Sequence, residues 1–192
     1  GYGGANKTDV VVPEGVLVIN AYAFSESDVY KITLPEGLTT IGISAFENNN
    51  LTELEIPNTV TSIGQSAIND NNFPEETAYL FARNSDGSID NTTLVSYGGK
   101  SSKTVTIPST VKTIKSNSIE RLFYADTIII PESVEVIERQ AFKKGTYWNT
   151  SLTTIVNQTG KSFNWGLITN NVSGYNFVTG TIINSLGNIE VV

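Results

Sequence analysis

Glu53 and Glu55 come nearest, by type and spacing, to a reaction centre in this chain. Two carboxylates two positions apart on an extended strand share one face, roughly 6–7 Å apart from the backbone rise. That separation is near the one used by the paired acids of glycoside hydrolases. Such a pair also needs a cleft and one member that holds its proton, and an open strand face supplies neither. Composition closes off other chemistries. The 192 residues include no histidine and no cysteine. Ser-His and Cys-His nucleophiles, thiolate catalysis, disulfides and His- or Cys-ligated metals are therefore excluded. Asn84-Ser85-Asp86-Gly87 has the residue types of a calcium loop but lacks the D-x-[DN]-x-[DN]-G spacing and the later glutamate. Asn, Asp and Gly tolerate positive φ, so the tetrapeptide is turn chemistry. The expectation is a non-enzyme with no catalytic residue, metal site or cofactor.

Charge narrows the partners. Net charge is −7, with 39% apolar and 16% charged residues, and no stripe of Lys and Arg. Nucleic acid and anionic membrane both need clustered basic side chains, so neither is expected. No apolar run approaches the roughly 18 residues of a membrane span, which predicts no insertion by this chain.

What must position any binding group is a repeat. Pro13, Pro35, Pro57, Pro108 and Pro131 each follow a β-branched or leucine-containing run: VVV, ITL, LEI, VTI and III. Three residues after each comes Val or Leu, and six after comes Ile19, Ile41, Ile63, Ile114 or Ile137. Ten and eleven after come a small residue and then Phe24, Phe46, Ile68, Ile119 or Phe142. The step is 22 residues twice and 23 once, a period that suits a leucine-rich-repeat coil. In Lys31-Ile32-Thr33-Leu34, Ile32 and Leu34 face one side of a strand while Lys31 and Thr33 face the other. Proline ends the strand, since it has no N–H and a fixed φ. No coil buries its inward groups alone; the neighbouring coils supply the walls. The fold class expected is a right-handed solenoid, mainly β, with 3-10 or single-turn helix at the Ala-Phe pairs.

The 51 residues between Pro57 and Pro108 hold one repeat plus an insertion. Ala78–Ala82 and Thr93–Tyr97 flank the Asn84–Gly87 turn and predict a β-hairpin, with the insertion at about 73–100, riding on the coil. Tyr2-Gly3-Gly4 and Tyr97-Gly98-Gly99 precede their prolines by the same 11 residues, implying a larger unit of 95. The chain opens in mid-pattern without methionine, which predicts a piece of a larger protein, any signal peptide or anchor lying outside it. Residues 1–157 are expected as solenoid and 158–192 as a β-rich cap over the last coil.

With "LTELEIPNTVTSIGQSAI" and "IIIPESVEVIERQAF" in view, the chain resembles the BspA-like leucine-rich repeats over about residues 5–157. Their phrase is roughly L-x-x-I-x-I-P-x-x-V-x-x-I-G-x-x-A-F. The resemblance implies an exported bacterial surface protein acting in adhesion, with a host or extracellular-matrix protein as partner. The binding face expected is the row of outward strand positions two and four residues before each proline. Its members are Lys31, Thr33, Glu53, Glu55, Thr104, Thr106, Thr127 and Ile129, with Asp9 and Val11 at one end and Thr154 and Val156 at the other. A solvated sheet face with no partner is the alternative, because threonine is simply a good strand former. Tyr147-Trp148, in a loop at 143–151, offers two adjacent rings that could stack on a glycan or grip a protein. Carbohydrate or cell-wall binding through Trp148 and a spacer role are the rival functions.

Overall fold

The computed structural model describes residues 8–100, 103–120, 125–142, 154–164, 181–184, 187 and 189–191. Among these the strands are β1 (Thr8–Val11), β2 (Val18–Ile19), β3 (Val29–Thr33), β4 (Thr40–Ile41), β5 (Ser62–Ile63), β6 (Tyr79–Arg83) and β7 (Ile89–Tyr97). They continue with β8 (Thr104–Thr106), β9 (Thr113–Ile114), β10 (Thr127–Ile130), β11 (Val136–Ile137), β12 (Thr154–Asn157), β13 (Thr181–Ile183) and β14 (Ile189–Val191). They form a β-solenoid of about six turns with almost no helix.

The proline phrase sets the phase of each turn. Strands before the prolines line one wall and the two-residue strands after them line a second. Ile19 pairs with Ile41 and Ile41 with Ile63; farther on, Ile114 pairs with Ile137, all in parallel register. Leu34, Leu38, Phe46, Ile107, Val111 and Ile130 are buried between the walls. Full burial of such side chains is worth about 1.5–3 kcal/mol each, available only when coils stack.

The Ala-Phe segments close as turns. In each of the five coils the residue nine after the proline is left-handed: Tyr22, Ser44, Ser66, Asn117 and Gln140 have φ between 51° and 61°. A left-handed residue interrupts any helix and costs a non-glycine residue about 1–2 kcal/mol. Bonds between coils offset that strain, Tyr22 N–H donating to Ile43 C=O and Ser44 N–H to Gln65 C=O, both at 2.9 Å. The only 3-10 helix among the described residues is Glu75–Thr77, in the insertion.

Two buried asparagines, each fourteen residues after its proline, stitch the corners. Asn49 Oδ1 accepts from Val29 N–H at 2.9 Å and Ser27 N–H at 3.2 Å, while its Nδ2 donates to Phe24 C=O at 2.7 Å. Asn71 repeats this one coil on, accepting from Leu51 N–H at 3.0 Å and donating to Phe46 C=O at 2.8 Å.

The hairpin is built into the stack instead of riding on it. β6 and β7 pair antiparallel, and Thr93-Leu94 of β7 pairs with Thr113-Ile114 of β9. Thr93-Leu94 therefore takes the kind of slot that Thr40-Ile41 and Ser62-Ile63 fill elsewhere, because a small hydroxyl residue followed by an aliphatic one fits the same wall. Asn69 pins it, accepting from Ser96 Oγ and Tyr97 N–H. On the turn side coil three meets coil four directly, Asn117 C=O accepting from Asn69 Nδ2 at 2.8 Å and Ser66 Oγ at 2.9 Å. At the far end, β13 runs parallel to β12 and β14 antiparallel to β13. Trp165, Tyr175, Phe177 and Tyr2-Gly3-Gly4 lie outside the described residues.

Candidate functional site

Alternation along the pre-proline strands separates an inward from an outward set, and the parallel register aligns the outward set into rows. Asp9 lies beside Lys31 and Val11 beside Thr33. In the second panel Thr104, Thr127 and Thr154 form one row, and Thr106, Ile129 and Val156 another. Lys31, Thr33 and Thr106 are exposed; Thr104, Thr127 and Ile129 are half-buried. The partners inward of them, Val105, Ile128 and Ile155, are fully buried, so the wall behind this panel is packed.

The two panels do not join. β3 pairs with β1 alone and β8 with β10 alone, while residues 51–57 between them enter no sheet. In two other coils the residue before the proline donates to the next coil. Val12 N–H reaches Thr33 C=O, and Ile107 N–H reaches Ile129 C=O, both at 3.0 Å. The corresponding bond from Leu34 N–H to Glu55 C=O is not made. Leu54 and Ile56 are only half-buried, unlike Ile32 and Leu34.

A cleft of about 460 Å³ opens at this break, lined by Lys31, Thr33, Glu53 and Glu55, with Ile32 and Leu34 deeper in. The structure thus gathers four of the expected site residues around one opening. It also overturns the expectation that an open strand face gives Glu53 and Glu55 no cleft. Acid catalysis is still not supported. The Glu53 side chain is 71% exposed and its Oε1 lies 3.9 Å from Lys31 Nζ, so it is a solvated, paired carboxylate. A general acid needs a desolvated one.

The hairpin props the far side of residues 54–56. Arg83 donates from one guanidinium nitrogen to Gly87 C=O at 2.9 Å and from the other to Ile56 C=O at 3.4 Å. A smaller cavity of about 160 Å³ lies there among Leu54, Ile56, Phe73, Phe81 and Ile89. Tyr79 Oη donates to Thr106 C=O at 2.8 Å, covering the free edge of β8. Burial, then the neighbouring Tyr97 and Glu75, raise the Tyr79 hydroxyl well above the ordinary tyrosine range, so it stays a donor.

Trp148 and Tyr147 lie outside the described residues. Among the described residues no group of His, Cys, Asp or Glu could hold a metal ion, and no helix is long and apolar enough to cross a membrane. Sequence reasoning missed Glu36 and Asn58, which also line the cleft. The signal available was the insertion following coil three.

Comparison with known proteins places this geometry. The "BspA type Leucine rich repeat region" profile matches residues 2–81 and 88–171, in 6 copies. Among solved structures the chain is similar to a leucine rich cell surface protein from Faecalibacterium prausnitzii. Identity is 26% and the TM-score 0.56, over 77% of this chain and 40% of that one. It is also similar to a leucine-rich repeat protein from Eubacterium ventriosum, at 23% identity and a TM-score of 0.48, over 78% of this chain and 47% of that one. The chain spans less than half the length of either. No curated protein matches it.

Proposed function

The chain belongs to the BspA-type leucine-rich repeat family, and from that premise we propose that it is a protein-interaction module of an exported bacterial surface protein, holding its partner on the outward strand face. Repeats of this class serve in general as non-enzymatic binding scaffolds. The observation that carries the reading is the alignment of outward side chains. Thr104-Thr127-Thr154 and Thr106-Ile129-Val156 sit in register on a packed wall, and Lys31, Thr33, Glu53 and Glu55 border the cleft beside them. Rigid elements present these groups, so a partner meets a surface already in its bound shape and little ordering entropy is lost on docking. Exposed threonines and a few apolar spots suit a protein partner of ordinary interface polarity. The role in this reading is adhesive, toward a host or extracellular-matrix protein; the surface setting is supported by the leucine rich cell surface protein of F. prausnitzii that the chain resembles.

The test is binding of the whole chain to a panel of extracellular-matrix proteins by interferometry. It is repeated with Glu53→Lys/Glu55→Lys and with Thr106→Lys/Ile129→Lys. Loss of a measured affinity by at least about tenfold, roughly 1.4 kcal/mol, in either variant supports the reading. Full affinity in both would remove the outward face from the interaction.

A further inference from the structure

We propose that the cleft between β3 and residues 51–57 is a slot for one added β-strand: it takes an extended peptide segment bearing basic side chains, which pairs with the open edge of β3. This rests on the reading of the chain as a protein-binding module and names the partner's chemistry at one place on it.

The backbone supplies the first reason. In a parallel ladder successive residues offer their N–H and C=O groups to opposite neighbours. Thr33 C=O is taken by Val12 N–H on the β1 side, so Ile32 and Leu34 turn their groups toward the cleft, which both residues line. At the equivalent step Ile107 N–H finds Ile129 C=O, whereas Leu34 N–H makes no such bond to Glu55. An edge with unused donors and acceptors is what strand-adding partners recognise, main-chain bonds giving affinity and alternate side chains giving specificity.

Volume and charge supply the rest. About 460 Å³ lies within the roughly 300–1,000 Å³ of ligand sites. Three carboxylates, Glu36, Glu53 and Glu55, line the opening against the single ammonium of Lys31. Glu53 and Glu55 are two apart on an extended segment, the spacing at which alternate side chains of an incoming strand also project. Lysine or arginine at every second position of that strand meets both carboxylates, and Lys31 gives up its exposed pairing with Glu53 to make room.

The test is calorimetric titration of the whole chain with two end-blocked nonapeptides, one alternating lysine with valine and one alternating glutamate with valine. Amide hydrogen exchange is followed in parallel. The lysine peptide is expected to bind and to slow exchange at Ile32 and Leu34 at least tenfold. N-methylation of the peptide at alternate residues on its pairing edge is expected to abolish that binding. Glu53→Lys/Glu55→Lys, and separately the milder Glu55→Gln, are expected to weaken it, the double variant by tenfold or more. Failure of the lysine peptide to bind, equal binding of both peptides, or binding that leaves Ile32 and Leu34 unprotected would each overturn the proposal. So would a dimer of the chain, seen by sedimentation, that the same variants abolish, because a second copy would then own the edge. A protein partner that needs Thr106 and Ile129 but ignores the cleft variants would remove this inference alone and leave the broader reading standing.

Discussion

Asn49→Ala removes one side chain and leaves a definite set of backbone groups unmatched. Asn49 is 2% exposed and makes five hydrogen bonds. Two of its acceptors keep other donors: Phe46 C=O retains Asn71 Nδ2 and Glu47 C=O retains Glu26 N–H. Three groups lose their Asn49 partner. Val29 N–H is fully buried and bears the whole penalty of an unsatisfied donor, about 1–3 kcal/mol. Ser27 N–H and Phe24 C=O are partly buried and reach water in part, so each adds only the net value of a hydrogen bond or less, about 0.5–1 kcal/mol. The expected loss is about 2–5 kcal/mol, or roughly 5–15 °C in Tm for a chain of this length. Asn49→Asp should be worse still, because a carboxylate oxygen would replace the donor that faces three carbonyl oxygens. Urea unfolding followed by far-UV circular dichroism gives the loss, and the exchange rate of the Val29 amide localises it. A variant within about 0.5 kcal/mol of the parent, with Val29 still protected, would refute the role given to Asn49.

Four further substitutions probe other parts of the stack. A Cβ on Gly64 would lie 2.4 Å from Ile43 N and 2.6 Å from Gly42 C, so Gly64→Ala should cost about 1–3 kcal/mol in a thermal melt. Gly37→Ala, whose nearest new neighbour is Leu17 Cδ2 at 3.9 Å, should cost little. Phe46→Ala empties a site that is 1% exposed and removes the ring stacked 5.8 Å from Phe24, for about 3–5 kcal/mol; a Tm unchanged within error would place Phe46 outside the core. Burial alone would push the Glu138 carboxyl up, but hydrogen bonds from the Lys115 ammonium and from Ser116 outweigh it and hold the group below its ordinary value of 4.5. A depressed carboxyl stabilises the fold above that value and loses its contribution as pH falls through the folded pKa. Glu138→Gln should therefore lower Tm at pH 7, and its difference from the parent should shrink as pH falls below 4.5 and through the folded pKa, which flattens the acid fall.

The columns were legible because proline locks the phase. Once Pro13, Pro35 and Pro57 are aligned, Ile19, Ile41 and Ile63 can occupy only one row, and the paired register has them there. Outward exposure of Lys31, Thr33, Glu53 and Glu55 followed from strand alternation alone. The left-handed corners were not legible. Tyr22, Ser44 and Gln140 have no intrinsic preference for positive φ and adopt it where a neighbouring coil accepts or supplies their backbone bonds. Asn49 and Asn71 could have been found, since both sit fourteen residues after a proline, but the surrounding asparagines look like ordinary turn composition. The cleft carries no local mark. Leu54 and Ile56 alternate as Ile32 and Leu34 do; their separation from β3 emerges only when the hairpin, through Arg83 and Phe81, occupies the far side of the segment.

Site-resolved hydrogen exchange in the free protein tests the central claim most directly, since the open edge beside β3 is where the outward face departs from a plain sheet. Leu34 and Ile107 hold the same place in their coils, one residue before a proline, but only Ile107 N–H has a partner carbonyl in the next coil. The Leu34 amide should exchange at least about tenfold faster than the Ile107 amide, and the Ile32 amide should follow Leu34. Equal protection at Leu34 and Ile107 would mean that β3 and residues 51–57 are zipped together, and the cleft would not exist.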